Sequence, residues 1–292
     1  MKTFALPSIF MLFCIAFSSA QNLNTEIVND GASPFLLGKI DKSGLTSENY
    51  KTWFEKNYND YQPDQTTINE LSKTLKNHTI KVFLGTWCGD SKREVPHFYK
   101  ILEACHFPET QLDVTALSNK PDMYKQSPNQ DEKGLNIHRV PTFIIYKNGV
   151  EINRIVEYPV ESLEKDMLNI ITINTYIPNY IIVKKVDEQL KNGSFKASKK
   201  NSKALKPHSK KLVELNTYSY ILLTTNRQNE AIEVLKMNTL LFPKAAKAFE
   251  FLANAYYAIN EPKKALKNYQ KALKLAPDDQ NLKSYIAALK NN

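Results

Sequence analysis

The chain has 292 residues, with 39 Lys and Arg against 30 Asp and Glu and a formal net charge of +9. That length suits about two domains, each large enough to bury its own core. A composition of 42% hydrophobic and 24% charged residues excludes a disordered or membrane-embedded chain, and three cysteines with five histidines exclude a disulfide scaffold or a multi-site zinc protein.

In chain order, Lys2 precedes an apolar run from Ile9 to Phe17 and the small residues Ser18, Ser19 and Ala20. This pattern predicts an export leader over residues 1–20, cleaved after Ala20, and a periplasmic or secreted mature protein. The run is too short to span a bilayer, and no later stretch is long enough, so no membrane span is expected. Met11-Leu12-Phe13 lacks the small residue that precedes a lipidated cysteine, so Cys14 is not read as an anchor. The mature chain keeps Cys88 and Cys105 in a compartment that permits disulfides.

Residues 21–46 read as an arm laid over the next domain. Trp53, Phe54 and Tyr58 mark a helix, Pro63 interrupts it, and Ile68, Leu71 and Leu75 mark another. Ile80 to Leu84 reads as a buried strand that ends at Gly85 and leads into a helix from Cys88 to about Cys105. Gln111 to Leu117 is a second strand, and Ser118 to Asn136 a long polar loop. Phe143 to Tyr146, the turn Lys147-Asn148-Gly149 and Ile152 to Val156 form a hairpin, and Val160 to Ile173 is an amphipathic helix with Leu163, Met167, Leu168 and Ile171 on one face. The order describes one compact α/β domain.

Beyond Tyr176 the pattern is helical. Lys196, Lys199, Lys200, Lys203, Lys206, Lys210 and Lys211 fall in a stretch without acids, read as a solvated linker or helix face. Only Arg93, Arg139, Arg154 and Arg227 are arginine, so the basic excess is nearly all lysine. Lysine does not match the bidentate fork that reads bases, and nucleic acid is not an expected partner. No Cys/His pair has metal-ligand spacing and the few glycines form no phosphate loop, so neither metal nor cofactor is expected.

Chemistry concentrates at Trp87-Cys88-Gly89-Asp90-Ser91, where a strand hands over to a helix. Unpaired N–H groups and the helix dipole favour a thiolate there. Lys92 and Arg93 add to that effect and Asp90 opposes it.

Over residues 78–173 the chain resembles the thioredoxin superfamily. The resemblance rests on Trp87-Cys88-Gly89 after a strand, Pro96 within the following helix, Val140-Pro141-Thr142 and the Lys147-Asn148-Gly149 turn. It implies an α/β fold with a central mixed sheet flanked by helices. It also implies a cis Pro141 lying against Cys88, and a Val140 backbone open to strand-like pairing with a bound peptide. Cys88 and Ser91 are then the catalytic candidates, and Trp87, Gly89, Asp90, Val140 and Pro141 the substrate-binding ones. The departures are equally specific. Ser91 replaces the second cysteine, Asp90 the intervening proline, Val82 the buried acid, and Glu157 a glycine beside the peptide surface. Cys105 lies about 25 Å along the same helix, too far to serve as a resolving thiol. Cys88 is thus expected to act as a single thiol on client thiols or disulfides, with Ser91 bonding its thiolate. The other class of reading is a non-catalytic interaction module. His97 and His138 are the histidines near this region, and His138, though near the Cys88 surface, is expected to be solvated.

Phe249, Leu252, Ala253, Tyr256, Ala265, Tyr269, Ala272 and Pro277 resemble a tetratricopeptide repeat. Ala231 and Pro243 sit one period earlier in a degenerate copy, where Tyr218, Ser219 and Asn238 depart from the pattern, and Gln280 to Leu289 reads as a capping helix. The resemblance implies all-α helical hairpins. Phe249, Asn254 and Tyr256 are the candidates for a groove that takes a peptide or protein partner; the alternative is a helical extension that supports the first domain. The expected division is a leader over 1–20, an arm and helix over 21–60, a thioredoxin-like domain over 61–175, a helical Lys-rich linker over 176–211, and repeats with a cap over 212–292.

Overall fold

The computed structural model describes residues 22–29, 31–173 and 175–291. The expected leader, Cys14 and the cleavage point after Ala20 lie outside them. The segment expected as a plain arm carries structure of its own. Strands β1 (Glu26–Asn29) and β2 (Ala32–Leu36) pair antiparallel, and β3 (Gly38–Lys39) joins the main sheet. Phe35 and Leu36 are buried, and the Leu36 N–H donates to the Thr86 hydroxyl at 3.0 Å, which fastens the hairpin beside the cysteine turn. Helices α1 (Lys42–Leu45), α2 (Lys51–Asp60) and α3 (Gln65–Thr74) follow.

The α/β half continues with β4 (Thr79–Leu84), α4 (Gly89–Ala104), β5 (Leu112–Ala116), β6 (Thr142–Lys147), β7 (Val150–Val156) and α5 (Leu163–Thr172). The sheet order is β3-β5-β4-β6-β7. Among the described residues only β4 and β5 run parallel, with α4 as the crossover such a pair requires. Asn148 and Gly149, both at positive φ, form the tight turn between β6 and β7.

Alternation along the strands splits the core between the two sheet faces. Ile80, Val82 and Leu84 join Phe98, Phe143 and Ile145 on one face, under α2 to α5. Phe83 and Ile144 point the other way and pack with Leu117, Ile137 and Val140. Trp87 and Cys88 lie against this second face. Pro96 inside α4 removes the N–H that would bond the Lys92 carbonyl. The Asn57 side-chain amide of α2 fills the gap, donating to that carbonyl at 3.1 Å.

The second half is helical: α6 (Ile181–Lys191), α7 (Lys199–Leu205), α8 (Val213–Thr224), α9 (Gln228–Leu241), α10 (Ala246–Ala258), α11 (Pro262–Leu275) and α12 (Gln280–Asn291). Residues 176–211 are not a free tether. Ile182, Val183 and Val186 of α6 are fully buried with Tyr218 and Leu222 of α8, and this core reaches the sheet at Val156. The lysines from 196 to 211 do face solvent, but α7 docks on α9 through buried Leu205, and the Lys206 ammonium donates to the Leu241 carbonyl. Ala253, Ala265 and Ala272 are fully buried in a third core, where their small side chains let α10 and α11 approach. In the degenerate copy Asn238 is also fully buried, and its amide donates to the Leu212 carbonyl and to Asn216. A polar bond replaces the small-residue contact there. Among the described residues no helix is long and apolar enough to cross a membrane.

Candidate functional site

The site begins where β4 stops. A side chain at Gly85 would place its first carbon 2.5 Å from the Trp87 ring, so only glycine admits that ring. The Cys88 N–H donates to the Gly85 carbonyl at 2.8 Å, closing a turn that leaves Cys88 as the N-cap of α4. The Cys88 thiol is half-buried and donates to the Val140 carbonyl at 3.3 Å. The Val140–Pro141 peptide is cis. Strand-end thiol and cis-proline loop therefore meet as the resemblance implies. Val140 itself is buried, however, and its carbonyl is already engaged by the thiol, not open as expected.

Ser91 is buried one turn into α4, and its hydroxyl accepts the Gly85 N–H at 3.2 Å. That bond braces the turn instead of reaching the Cys88 sulfur as expected. Trp87 donates its indole N–H to the Leu117 carbonyl at 2.8 Å, and its ring lies 5.8 Å from that of Tyr124. Gly89 opens the helix beside the thiol. Asp90 pairs with Arg93 at 2.8 Å, and Arg93 also pairs with buried Glu94 at 2.7 Å, so the Arg93 charge is largely spent within its own turn. Burial pushes the Glu94 carboxyl up against the pull of Arg93. Cys105 stands at the far end of α4, where burial pushes its thiol up to about 11. The helix between the two cysteines separates them by about 25 Å, which rules out a bridge.

Of three ionisable groups around the cis-proline loop, the sequence pointed to His138 and Glu157 without their surroundings and missed Lys125. His138 is 4% exposed rather than solvated, because the Tyr180 and Tyr218 rings close over it at 5.4 and 6.3 Å. Its Nδ1 donates to the Asn136 carbonyl, and burial pushes the ring down to about 3, so it is neutral. Glu157 takes φ +68, the backbone geometry that explains the glycine usual at this point. Its carboxylate accepts from Arg139 at 2.8 Å and from the Tyr180 hydroxyl. Lys125 is buried within the polar loop after β5. No periodicity or motif marks the burial of His138 and Glu157, since it comes from Tyr180 and Tyr218, more than 20 residues away.

His97 stacks on Tyr61 at 4.0 Å, and burial, aided by Arg93, pushes it down to about 4. In the repeat, Phe249 and Tyr256 line a cleft of about 370 Å³ with Lys236, Lys264, Lys267 and Lys271. Asn254 is elsewhere: it is exposed and accepts from the Tyr269 hydroxyl. Phe249 and Tyr256 thus share this cleft, and Asn254 does not line it.

Comparison with known proteins agrees with this geometry. Residues 42–168 match the family model described as thioredoxin, and residues 246–279 match that of the tetratricopeptide repeat. The mitochondrial Thioredoxin-3 of Saccharomyces cerevisiae is 28% identical over 102 residues, which cover 34% of this chain and 72% of that protein. Thioredoxin-1 of Schizosaccharomyces pombe is 36% identical over 74 residues, which cover 25% of this chain and 62% of that protein. The chain carries a thioredoxin-like domain followed by a helical region with a tetratricopeptide repeat.

Proposed function

From a thioredoxin-like domain with one thiol at its helix start, we propose single-thiol disulfide exchange with client proteins through Cys88. The observation that carries the reading is the Cys88 thiol at the N-cap of α4, against the carbonyl that precedes cis Pro141, with a serine at the second cysteine position. The Cys88 thiolate attacks one sulfur of a client disulfide. One S–S bond forms as the other breaks, and the departing client sulfur leaves as a thiolate that solvent protonates. An external thiol then attacks the mixed disulfide, restores Cys88 and carries the oxidation away. The domain has no second cysteine at position 91 to do this internally.

Trapping mixed disulfides on the mature protein, with Cys88→Ser beside it, tests the reading; equal yields from both proteins would sink it. A second reading is supported by the engaged Val140 carbonyl and by the tyrosines of α6 and α8 around the loop: binding of clients or a partner without turnover. Iodoacetamide labelling across pH separates the two, because an inert Cys88 favours the binding module. We also propose export through residues 1–20, which N-terminal sequencing of the mature chain tests at Ala20.

A further inference from the structure

The loop after β5 buries a cation on the segment that leads to cis Pro141. Lys125 is 6% exposed, and among the described residues it forms no ion pair with a carboxylate. Its ammonium donates to the His138 carbonyl at 2.6 Å and lies 4.9 Å from the Tyr124 ring centroid. Tyr124 in turn packs on Trp87, the neighbour of Cys88 in the chain. Two residues beyond His138, the Val140 carbonyl receives the Cys88 thiol. Cation and thiol thus hang on the same short segment before cis Pro141.

Burying an ammonium without a carboxylate is costly, so its retention calls for a nearby negative charge. Burial pushes Lys125 down to about 8, and Arg139 pushes the same way, while Cys88 and Glu157 hold its proton on. The other ionisable groups around it are the Tyr124 phenol and the neutral His138 ring. Glu157 is already shared between Arg139 and Tyr180. Cys88 is then the nearby group on which negative charge develops when it attacks a disulfide or is displaced from one.

We propose that Lys125 is a positioning residue for Cys88, its buried ammonium standing on the segment that carries the thiol's acceptor and meeting the negative charge that develops on the sulfur during exchange. It stands in a helix-start site whose Arg93 is tied to Asp90 and Glu94. Lys125 keeps its proton through the exchange step and forms no bond to the client. The inference rests on the reading of Cys88 as an exchange thiol, but its test does not require a client.

Iodoacetamide alkylation of Cys88 is followed from pH 5 to 10.5 in the mature protein, with Lys125→Met and Lys125→Arg beside it. Lys125→Met is expected to slow alkylation about fivefold at pH 7, with rates converging above pH 10, and Lys125→Arg to restore the neutral rate. Superimposable profiles, or slowing by one factor at every pH, overturn the proposal. The same coupling is read from the other side, in case Lys125→Met does not fold. In ¹⁵N-lysine-labelled protein, Cys88→Ser lowers the pH midpoint of the Lys125 amine, and an unchanged midpoint overturns the proposal. Coupling without mixed-disulfide formation would support Lys125 while removing the exchange reading; exchange with superimposable profiles would remove Lys125 alone.

Discussion

Tyr180, at the entrance to α6, donates its hydroxyl to Glu157, at the end of the sheet. Both residues hold positive φ, and Arg139 from the cis-proline loop completes the group, its guanidinium 5.3 Å from the Tyr180 ring centroid. One carboxylate thereby fastens the loop beside Cys88 to the helical half. Glu157→Gly relieves the backbone by about 1 kcal/mol but strips partners from two polar groups at about 1–3 kcal/mol, a net loss. Glu157→Ala keeps the backbone cost and loses more. Urea unfolding of the three proteins checks the order: wild type, then glycine, then alanine.

Ser91→Cys places a second thiol one helical turn from Cys88 on the same side of the strand-to-helix junction. Diamide treatment is expected to yield an internal disulfide in this variant and none in the wild type, read by intact mass as two lost hydrogens. Two free thiols after oxidation would contradict it. The substitution weakens the acceptor for the Gly85 N–H, with a cost of about 1 kcal/mol in the reduced form.

Acid destabilises the protein through its buried histidines. His138 and His97 stay neutral in the fold down to about 3 and about 4. In the unfolded chain both take up a proton near 6.5. Across that window the unfolded state binds more protons, so stability falls as pH falls. The His138 contribution approaches about 1.4 kcal/mol for each pH unit below about 6. His138→Phe removes it, so the urea midpoint of wild type relative to the variant should fall as pH is lowered from about 6.5 to 4 and stay constant above about 6.5. A constant difference between pH 4 and 7 would refute the assignment.

Removing residues 212–292 exposes Val156 of β7, Ile182 and Val186, and takes Tyr218 and Tyr220 off the loop that precedes Pro141 while Tyr180 stays. The truncated thioredoxin-like half is expected to melt several degrees lower and to expose apolar surface, measured by dye binding. An unchanged melting temperature would mean that the halves fold independently.

The strands from Ile80 to Val156, the helix that follows Cys88 and the cis proline were legible, because alternation, Gly/Asn turns and short motifs are local signals. Strand β3 was not, since two residues carry no alternation. Asn57 gave no sign of its role, as the carbonyl it satisfies is orphaned by a proline 39 positions away in the chain. Lys125 and His138 looked like ordinary loop residues for the same reason: their burial is decided by Tyr124, Tyr180 and Tyr218. Asn254 lies outside the cleft that Phe249 and Tyr256 line, because helical spacing alone does not say which side of α10 faces that cleft.

The ring sequence Trp87, Tyr124, Tyr220 joins the indole beside the thiol to a side chain on α8. The chain has only two tryptophans, and the other, Trp53, sits in α2 on the opposite face of the sheet. With Trp53 replaced by Phe, the emission of the remaining indole becomes an optical gauge of how firmly the helical half is seated beside the cysteine.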